Sequence, residues 1–535
     1  MSKFRIYFFS FLIVFCGIFL PNCAKKGFIS GGPQDTIPPV MLGSNPKNYS
    51  TNFDKDEIKI DFDEFVKIKD LNKNLIVSPP FDQMPDITPM GSARRTITIK
   101  LKDTLKPNTT YSFNFGDAII DNNEGNVLKQ FKYVFSTGSY IDSLTLSGTI
   151  SSANKLKSDN FVNVMLYDAK TFKDSTIYKE KPLYVTNTLD SLTTFTIENI
   201  REGQYYLVAL KDKNNNYKFD PHQDKIGFIK EPITIPSEKE YHINLFKSEE
   251  KFEANRPSQI SENKWYVPFV GNAHDVDIVV KKNDSLIKST YTRLQQKDSL
   301  QLWFPKIKAD SLHVLVKQGD FKKQFTVRPR PKMKAIDTLA VSGSGGLLNF
   351  INDFSITTST PYAKINSKLV TVTNKDSLKI PFDIVEDKVN QKLSFTFEKK
   401  ENEKYTINLL PGAITDFFGK PNDTLNYKLN TNQFSDNGNL IVNLQGVKRF
   451  PIIVEIINEK EEVIASKIST KETRIEFNLL PPRKYFIKVI YDDNKNGKWD
   501  PGYYWDRRQA EETFFYPEEI DVRANWDINQ EVILE

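Results

Sequence analysis

The sequence predicts an all-β protein, a series of β-sandwich modules that follows a short N-terminal leader. Three observations carry this. Apolar and polar residues alternate with period two: Ile58, Ile60 and Phe62 against Lys59, Asp61 and Asp63, and again at Ile97, Ile99 and Leu101. Successive strand side chains point to opposite faces, so such alternation marks half-buried antiparallel strands. Similar stretches recur at 144–150, 393–397 and 440–444. Phe, Tyr, Ile, Val and Thr are plentiful, the types that fit a pleated surface, and long helical periodicity is absent.

Composition sets the bounds. A chain of 535 residues makes several domains. Its 39% hydrophobic and 12% aromatic content suits packed cores and not disorder. The net charge of +5 is small for the length, with lysines and acids interspersed, so there is no nucleic-acid footprint.

At the N-terminus, Lys3 and Arg5 precede an uncharged apolar run from Ile6 to Leu20. The run is short for a membrane span and has the form of a secretory signal. It ends in Leu20-Pro21-Asn22-Cys23, which resembles a lipobox, although Asn22 is bulkier than the usual residue there. The resemblance implies cleavage before Cys23 and lipidation of its sulfur, with 1–22 as a lipoprotein signal peptide and 23–37 as a lipidated tether. Each buried methylene of an acyl chain contributes about 0.8 kcal/mol, so three chains anchor firmly. The plainer reading is a secretory peptide with an incidental cysteine. Of the two cysteines, Cys16 lies in the leader and Cys23 takes lipid, which leaves the mature chain without a disulfide, a catalytic thiol or a Cys-ligated zinc. No later apolar run reaches membrane-span length. Ala24 is not the aspartate that retains lipoproteins at an inner membrane, so an outer-membrane location is expected; Lys25 and Lys26 leave the facing of the protein open.

Internal repeats organise the remainder. The segment 195–221 matches 475–501 without a gap at an offset of 280: Tyr205 with Tyr485, Asp212 with Asp492, Asn214 with Asn494, Asn216 with Asn496, Asp220 with Asp500. A fainter duplication relates Ala118-Ile119-Ile120-Asp121 and Gly125 to Ala413-Ile414-Thr415-Asp416 and Gly419.

These residues carry family resemblances. Pro38-Pro39, the 58–62 strand, Leu105-Lys106-Pro107-Asn108-Thr109-Thr110-Tyr111, Asp121 to Asn126 and Phe135-Ser136-Thr137-Gly138 resemble a bacterial Ig-like domain of the S-layer type, over 38–138. Residues 337–433 resemble a degenerate second copy, keeping Tyr405-Thr406-Ile407 and Asp416 to Gly419. The duplicated module, at 139–247 and 434–535, resembles the carboxypeptidase-regulatory-like, or CnaB-like, β-sandwich. Residues 248–336 form a further β domain of no assigned family. The resemblances imply architecture and life outside the cytoplasm, and fold alone does not fix a reaction.

The acidic loops are the candidate metal sites. Asp492, Asn494, Asn496 and Asp500, with Gly497 for the turn, follow the first positions of a calcium loop, in which alternate oxygen side chains converge on a hard cation. Tyr503 stands where the bidentate glutamate belongs, with Asp506 or Glu511 as substitutes. In the first copy Asp212, Asn214, Asn216 and Asp220 persist, Tyr217 replaces the glycine, and Asp224 is the candidate extra ligand. The competing reading is a polar loop whose Asp and Asn side chains cap their own backbone. In either case the role is structural: no cofactor is required, and calcium is the one ion implied. Aromatics crowd the second loop: Trp499, Tyr503, Tyr504, Trp505, Phe514, Phe515, Tyr516 and Trp526. They read either as core or as a partner-docking patch centred on Tyr503, Tyr504 and Trp505.

Catalytic signals are poor. His222, His242, His274 and His313 are isolated, no carboxylate pair stands out, and the glycine-rich stretch 342–346 reads as a flexible turn, with no Lys-Ser/Thr after it to make a phosphate cradle. The expectation is a non-enzymatic outer-membrane lipoprotein, a multidomain scaffold or accessory subunit, tethered by lipid and binding an integral outer-membrane protein or complex. The alternatives are a surface adhesin or glycan-binding lipoprotein and, in another class, an envelope hydrolase.

Overall fold

The computed structural model describes residues 35–189, 193–295, 297–330 and 337–534. Cys23, the leader 1–22 and the tether up to residue 34 lie outside them. The described residues are nearly all strand and turn, and no helix among them is long and apolar enough to cross a membrane. Contacts divide the chain into two units: one holds 81–140 with the residues before 76, the other 76–80 with 141–535.

In the first unit one sheet runs Met41–Asn45, Glu57–Ile68, Arg94–Lys100, Asp86–Thr88, with Ile119–Asp121 beside Glu57–Ile68. Thr110–Asn114 pairs with Lys132–Ser136 in a facing sheet. The period-two pattern sets the layers: Ile58, Ile60 and Phe62 are buried while Lys59, Asp61 and Asp63 face water. Phe53, Tyr111 and Phe113 gather around Phe135, the closest pair of rings with centroids 3.9 Å apart. Asp121 is buried at the end of its strand, and its carboxylate accepts the backbone N–H groups of Asn123 (2.7 Å), Glu124 (2.7 Å), Gly125 (3.1 Å) and Asn126 (2.6 Å). Gly125 turns the loop at φ +84°, a conformation that costs other residues.

The second unit holds four sandwiches. The first and last share one topology. In the first, Tyr184–Asn187, Asn163–Asp168, Gly203–Lys211 and Lys225–Phe228 face a sheet of Thr194–Ile200, Leu144–Ser152 and Tyr241–Leu245. In the last, Val463–Ser469, Ile452–Ile457, Arg483–Tyr491 and Thr513–Phe515 face Arg474–Leu480, Gly438–Gln445 and Asp527–Ile533. In both, the final strand runs parallel to the first strand of the module. The offset of 280 is repeated in the bonding: the Tyr205 hydroxyl donates to the Arg201 carbonyl (2.9 Å), and the Tyr485 hydroxyl to the Pro481 carbonyl (2.7 Å).

Between them lie two further sandwiches with their own cores, one around Trp265, Val267, Leu302 and Val314, the other around Ile356, Phe395, Tyr405 and Ile407. The latter repeats the Asp121 arrangement: Asp416 is buried, accepts from Phe418 N (2.9 Å) and Lys420 N (2.7 Å), and is followed by Gly419 at φ +88°. The glycine-rich stretch 342–346 differs from the expected flexible turn. Val341–Ser342 pairs with one sheet and Gly346–Leu347 with the other. A Cβ on Gly343 would stand 2.6 Å from Ile356, and one on Gly345 2.5 Å from the Lys428 carbonyl. The glycines let a tightly packed strap cross from sheet to sheet.

The second, third and fourth sandwiches of this unit touch in succession. Arg293 N donates to the Val389 carbonyl (2.7 Å), Lys264 pairs with Asp337 (2.8 Å), and Phe350 meets Phe434 edge-on at 4.9 Å. The series does not end open, because the last sandwich returns to the first of the four.

Candidate functional site

Each acidic loop is closed by two carboxylates. Strand Arg483–Tyr491 runs into buried Asp492, whose oxygens accept from Asn496 N (3.0 Å) and Gly497 N (2.9 Å). Glu511 reaches back across the loop and accepts from Asp493 N (2.9 Å) and Asp500 N (2.9 Å). Asp500 accepts from the side-chain amides of Asn494 (2.6 Å) and Asn496 (2.5 Å). In the other copy Asp212 accepts from Asn214 N (3.0 Å) and Tyr217 N (2.7 Å), and Asp224 accepts from Lys213 N (2.9 Å) and Asp220 N (2.8 Å). Lys213 and Asp220 are the 280-offset equivalents of Asp493 and Asp500, so Asp224 and Glu511 perform one job from different loop positions. Asp506 is exposed on the short turn Tyr504–Asp506.

Tyr217 holds the glycine position in the first copy and still builds the turn, at φ +60° against +76° for Gly497. A side chain in that region is strained by about 1–2 kcal/mol; the Tyr217 ring offsets this by packing on the core, where burial pushes its hydroxyl pKa up to about 12. Burial also raises the pKa of Asp212 and of Glu511. At the loop shoulder, Arg449 bonds Asp493 (2.5 and 2.9 Å) and Glu512 (2.8 Å), holding the Asp493 carboxyl below its ordinary range. Among the described residues no group of three or more His, Cys, Asp or Glu side chains gathers at metal-binding distance.

The aromatic loop has a third destination, neither its own core alone nor a foreign partner. Phe514 and Tyr516 pack on the core of the last sandwich. Tyr504 is fully buried in the opposite sandwich, its ring against Phe228 (5.4 Å), Tyr178 (6.0 Å) and Phe219 (6.2 Å). The reading of Tyr504 as a partner contact is therefore corrected: its surface is spent inside the chain. Trp505 stacks on Tyr178 at 5.0 Å and 9° while staying 47% exposed, and Tyr503 is half-buried. Arg507 bonds Asp174 (2.5 Å) and lies over the rings of Tyr504 (4.9 Å), Tyr206 (5.2 Å) and Phe172 (5.3 Å). Arg508 pairs with Glu249, Gln509 donates to the Phe228 carbonyl (2.9 Å), and Gly502 crosses so close to Phe246 that any Cβ would strike the ring.

Sequence reasoning missed Arg507 and its aromatic bed, which carry no local motif because Asp174, Phe172 and Tyr206 stand more than 300 positions away. It also missed the surroundings of His242, which bonds the hydroxyls of Thr149 (2.7 Å) and Ser151 (3.0 Å) on an exposed sheet face. His222 pairs with Glu250 (2.7 Å).

Comparison with known proteins agrees with the layers seen in the first unit. Residues 35–137 match the bacterial Ig-like domain family. None of the curated proteins matches the chain. Solved structures with some likeness include the S-layer protein rSbsC, 12% identical, covering 86% of this chain and 66% of that one at a TM-score of 0.14. BcpA, the major pilin subunit of Bacillus cereus, is 9% identical over 73% of this chain and 99% of its own, at 0.15. SGBP-B of the Bacteroides ovatus mixed-linkage glucan utilization locus is 10% identical over 83% and 99%, at 0.18.

Proposed function

We propose that this chain is a lipid-anchored, non-enzymatic scaffold of the outer membrane that binds an integral outer-membrane protein or complex. The observation that carries the reading is the return of the last sandwich through Tyr504 and Arg507, which fixes it against the first of the four. A body held in one geometry presents preformed surfaces, and a preformed surface loses less entropy on binding. With Tyr504 spent internally, Trp526, 54% exposed beside Arg523, is one large aromatic of the last sandwich still open to a partner, with Trp505 at 47% another. The protein should co-purify from mild detergent in near-stoichiometric amount with an integral membrane protein, and Trp526→Glu should lower that yield without lowering the melting temperature. Isolation alone under every mild extraction, or turnover of a peptide, ester or glycan substrate abolished by one substitution, overturns the reading. Selective retention on a glycan array would favour the glycan-binding alternative.

On this reading the anchor is the lipid on Cys23. A clickable fatty acid should label the wild-type chain and not Cys23→Ala; equal labelling sinks the assignment.

Calcium is proposed as a structural ion of the last acidic loop. The donor chemistry fits: each Asp492 oxygen gives one lone pair to a backbone N–H and keeps another for a cation. A ligand at a hundredfold excess over its Kd adds about 2.7 kcal/mol to the folded state. Melting of the full ectodomain should rise with calcium and fall back with chelator, and the rise should vanish in Asp492→Ala and in the exposed Asn494→Ala. An unchanged melting temperature leaves the self-capped polar loop as the whole account.

A further inference from the structure

One tripeptide recurs beyond what the fold explains. Asp-Ser/Thr-Leu occurs nine times, starting at positions 103, 142, 190, 284, 298, 310, 337, 376 and 423. The reversed order, Leu-Ser/Thr-Asp, occurs nowhere in the chain, and neither does Glu-Ser/Thr-Leu. Eight of the nine lie wholly within the described residues.

A structural cause would be a turn aspartate followed by the start of a strand. It accounts for Ser285 and Ser299, which open strands, and for Ser143, Ser311 and Thr424, which stand one residue before them. It fails for Thr104, Thr338 and Ser377, which lie in no strand, Ser377 at φ +61°. The leucine has no common role: Leu300 and Leu312 are buried, whereas Leu286 and Leu378 are 71% and 63% exposed. Nor has the aspartate. Asp142 is buried beside Arg201, Asp337 pairs with Lys264, Asp103 accepts from the backbone of residues 82 and 83, and the others face water. The hydroxyl position is the constant feature. Thr104, Ser143, Ser285, Thr338, Ser377 and Thr424 are exposed, Ser299 and Ser311 are half-exposed, and none is buried.

A sequence held constant while its structural context varies is read as a linear sequence. We infer that these tripeptides are acceptor sites for O-linked sugar, read by a transferase through the acidic residue before the hydroxyl and the apolar residue after it. The hydroxyl oxygen attacks the anomeric carbon of a diphosphate-activated sugar. A glycosidic C–O bond forms, the bond from that carbon to the phosphate oxygen breaks, the diphosphate leaves with the electron pair, and the hydroxyl proton passes to a base of the transferase. The inference rests on the proposed export of the chain, since sugar on surface loops of an envelope scaffold adds a hydrophilic coat between sandwiches without touching a core.

The test is peptide mapping by mass spectrometry of the full protein isolated from its native host. Sugar-mass increments are expected on the peptides with the six exposed hydroxyls. Ser285→Ala and Asp284→Asn should each strip the increment from the 284–286 peptide while leaving the melting temperature unchanged, because both side chains are exposed at a hairpin tip. Asp284→Asn leaves the hydroxyl in place, so its effect isolates the reading of the tripeptide. Bare peptides, phosphate-mass increments, or an increment that survives Asp284→Asn overturn the inference. A chain acylated at Cys23 with bare hydroxyls overturns it and leaves the anchor standing; a chain with sugar and no acyl group overturns the anchor alone.

Discussion

Replacing Tyr504 with alanine should destabilise the junction of the duplicated sandwiches by about 3–5 kcal/mol, the cost of deleting a fully buried large aromatic. The ring fills a pocket made by Tyr178, Phe219 and Phe228 of the opposite sandwich. Its loss also uncovers Arg507, whose guanidinium lies over the same ring. The inter-sheet cores of the two sandwiches are separate and Tyr504 belongs to neither, joining instead a cluster on the first sandwich, so the expected outcome is separation and not global unfolding. Small-angle scattering should show a larger radius of gyration with the strand signal in circular dichroism retained. Tyr504→Phe should stay within about 1 kcal/mol of wild type, because the buried hydroxyl has no protein hydrogen-bond partner among the described residues and its removal leaves no partner unpaired. A Tyr504→Ala chain as compact and as stable as wild type would show that the junction does not hold the sandwiches together.

Asp121→Ala should cost the first unit about 3 kcal/mol or more. Hydrogen bonds to a charged group contribute about 1.5–3 kcal/mol each, and four backbone N–H groups would lose their acceptor together. Burial alone would raise the Asp121 pKa; the four donors outweigh it and hold the carboxyl below its usual range. A carboxyl with a depressed folded pKa contributes stability that is complete above its unfolded pKa, about 3.9, and is lost as pH falls through the folded value. The advantage of wild type over Asp121→Ala, read from chemical denaturation, should therefore be constant near neutrality and shrink below about pH 4. A difference that persists unchanged into strong acid would mean that the charge contributes nothing.

Much of the fold was legible because the forces that set it are local. The alternation at 58–63 needs only the pleat to become a buried and an exposed face. The Asp492 and Asp121 loops close through bonds spanning two to five residues, so their spacing is visible as a motif. Legibility failed where one residue type serves two geometries. The stretch 342–346 has a flexible composition, yet Gly343 and Gly345 lie too close to Ile356 and to the Lys428 carbonyl for a side chain, and Gly346 holds φ +122°. In the second acidic loop the strap was readable only as a choice between Asp506 and Glu511, since Asp224 and Glu511 reach equivalent N–H groups from different distances along the chain.

The sequence by itself determined where many of the strands run, which face of the alternating ones is buried, that one module occurs twice at an offset of 280, and that each acidic loop has side chains spaced to accept from its own backbone. Those follow from periodicity and from hydrogen bonds with strict geometry and short reach. Only the tertiary structure decided what Tyr504, Trp505 and Arg507 cover. Burial of an aromatic ring is driven by area removed from water, which has no direction and names no partner; the choice of Phe228 and Asp174 emerged only once the last sandwich had returned to the first of the four.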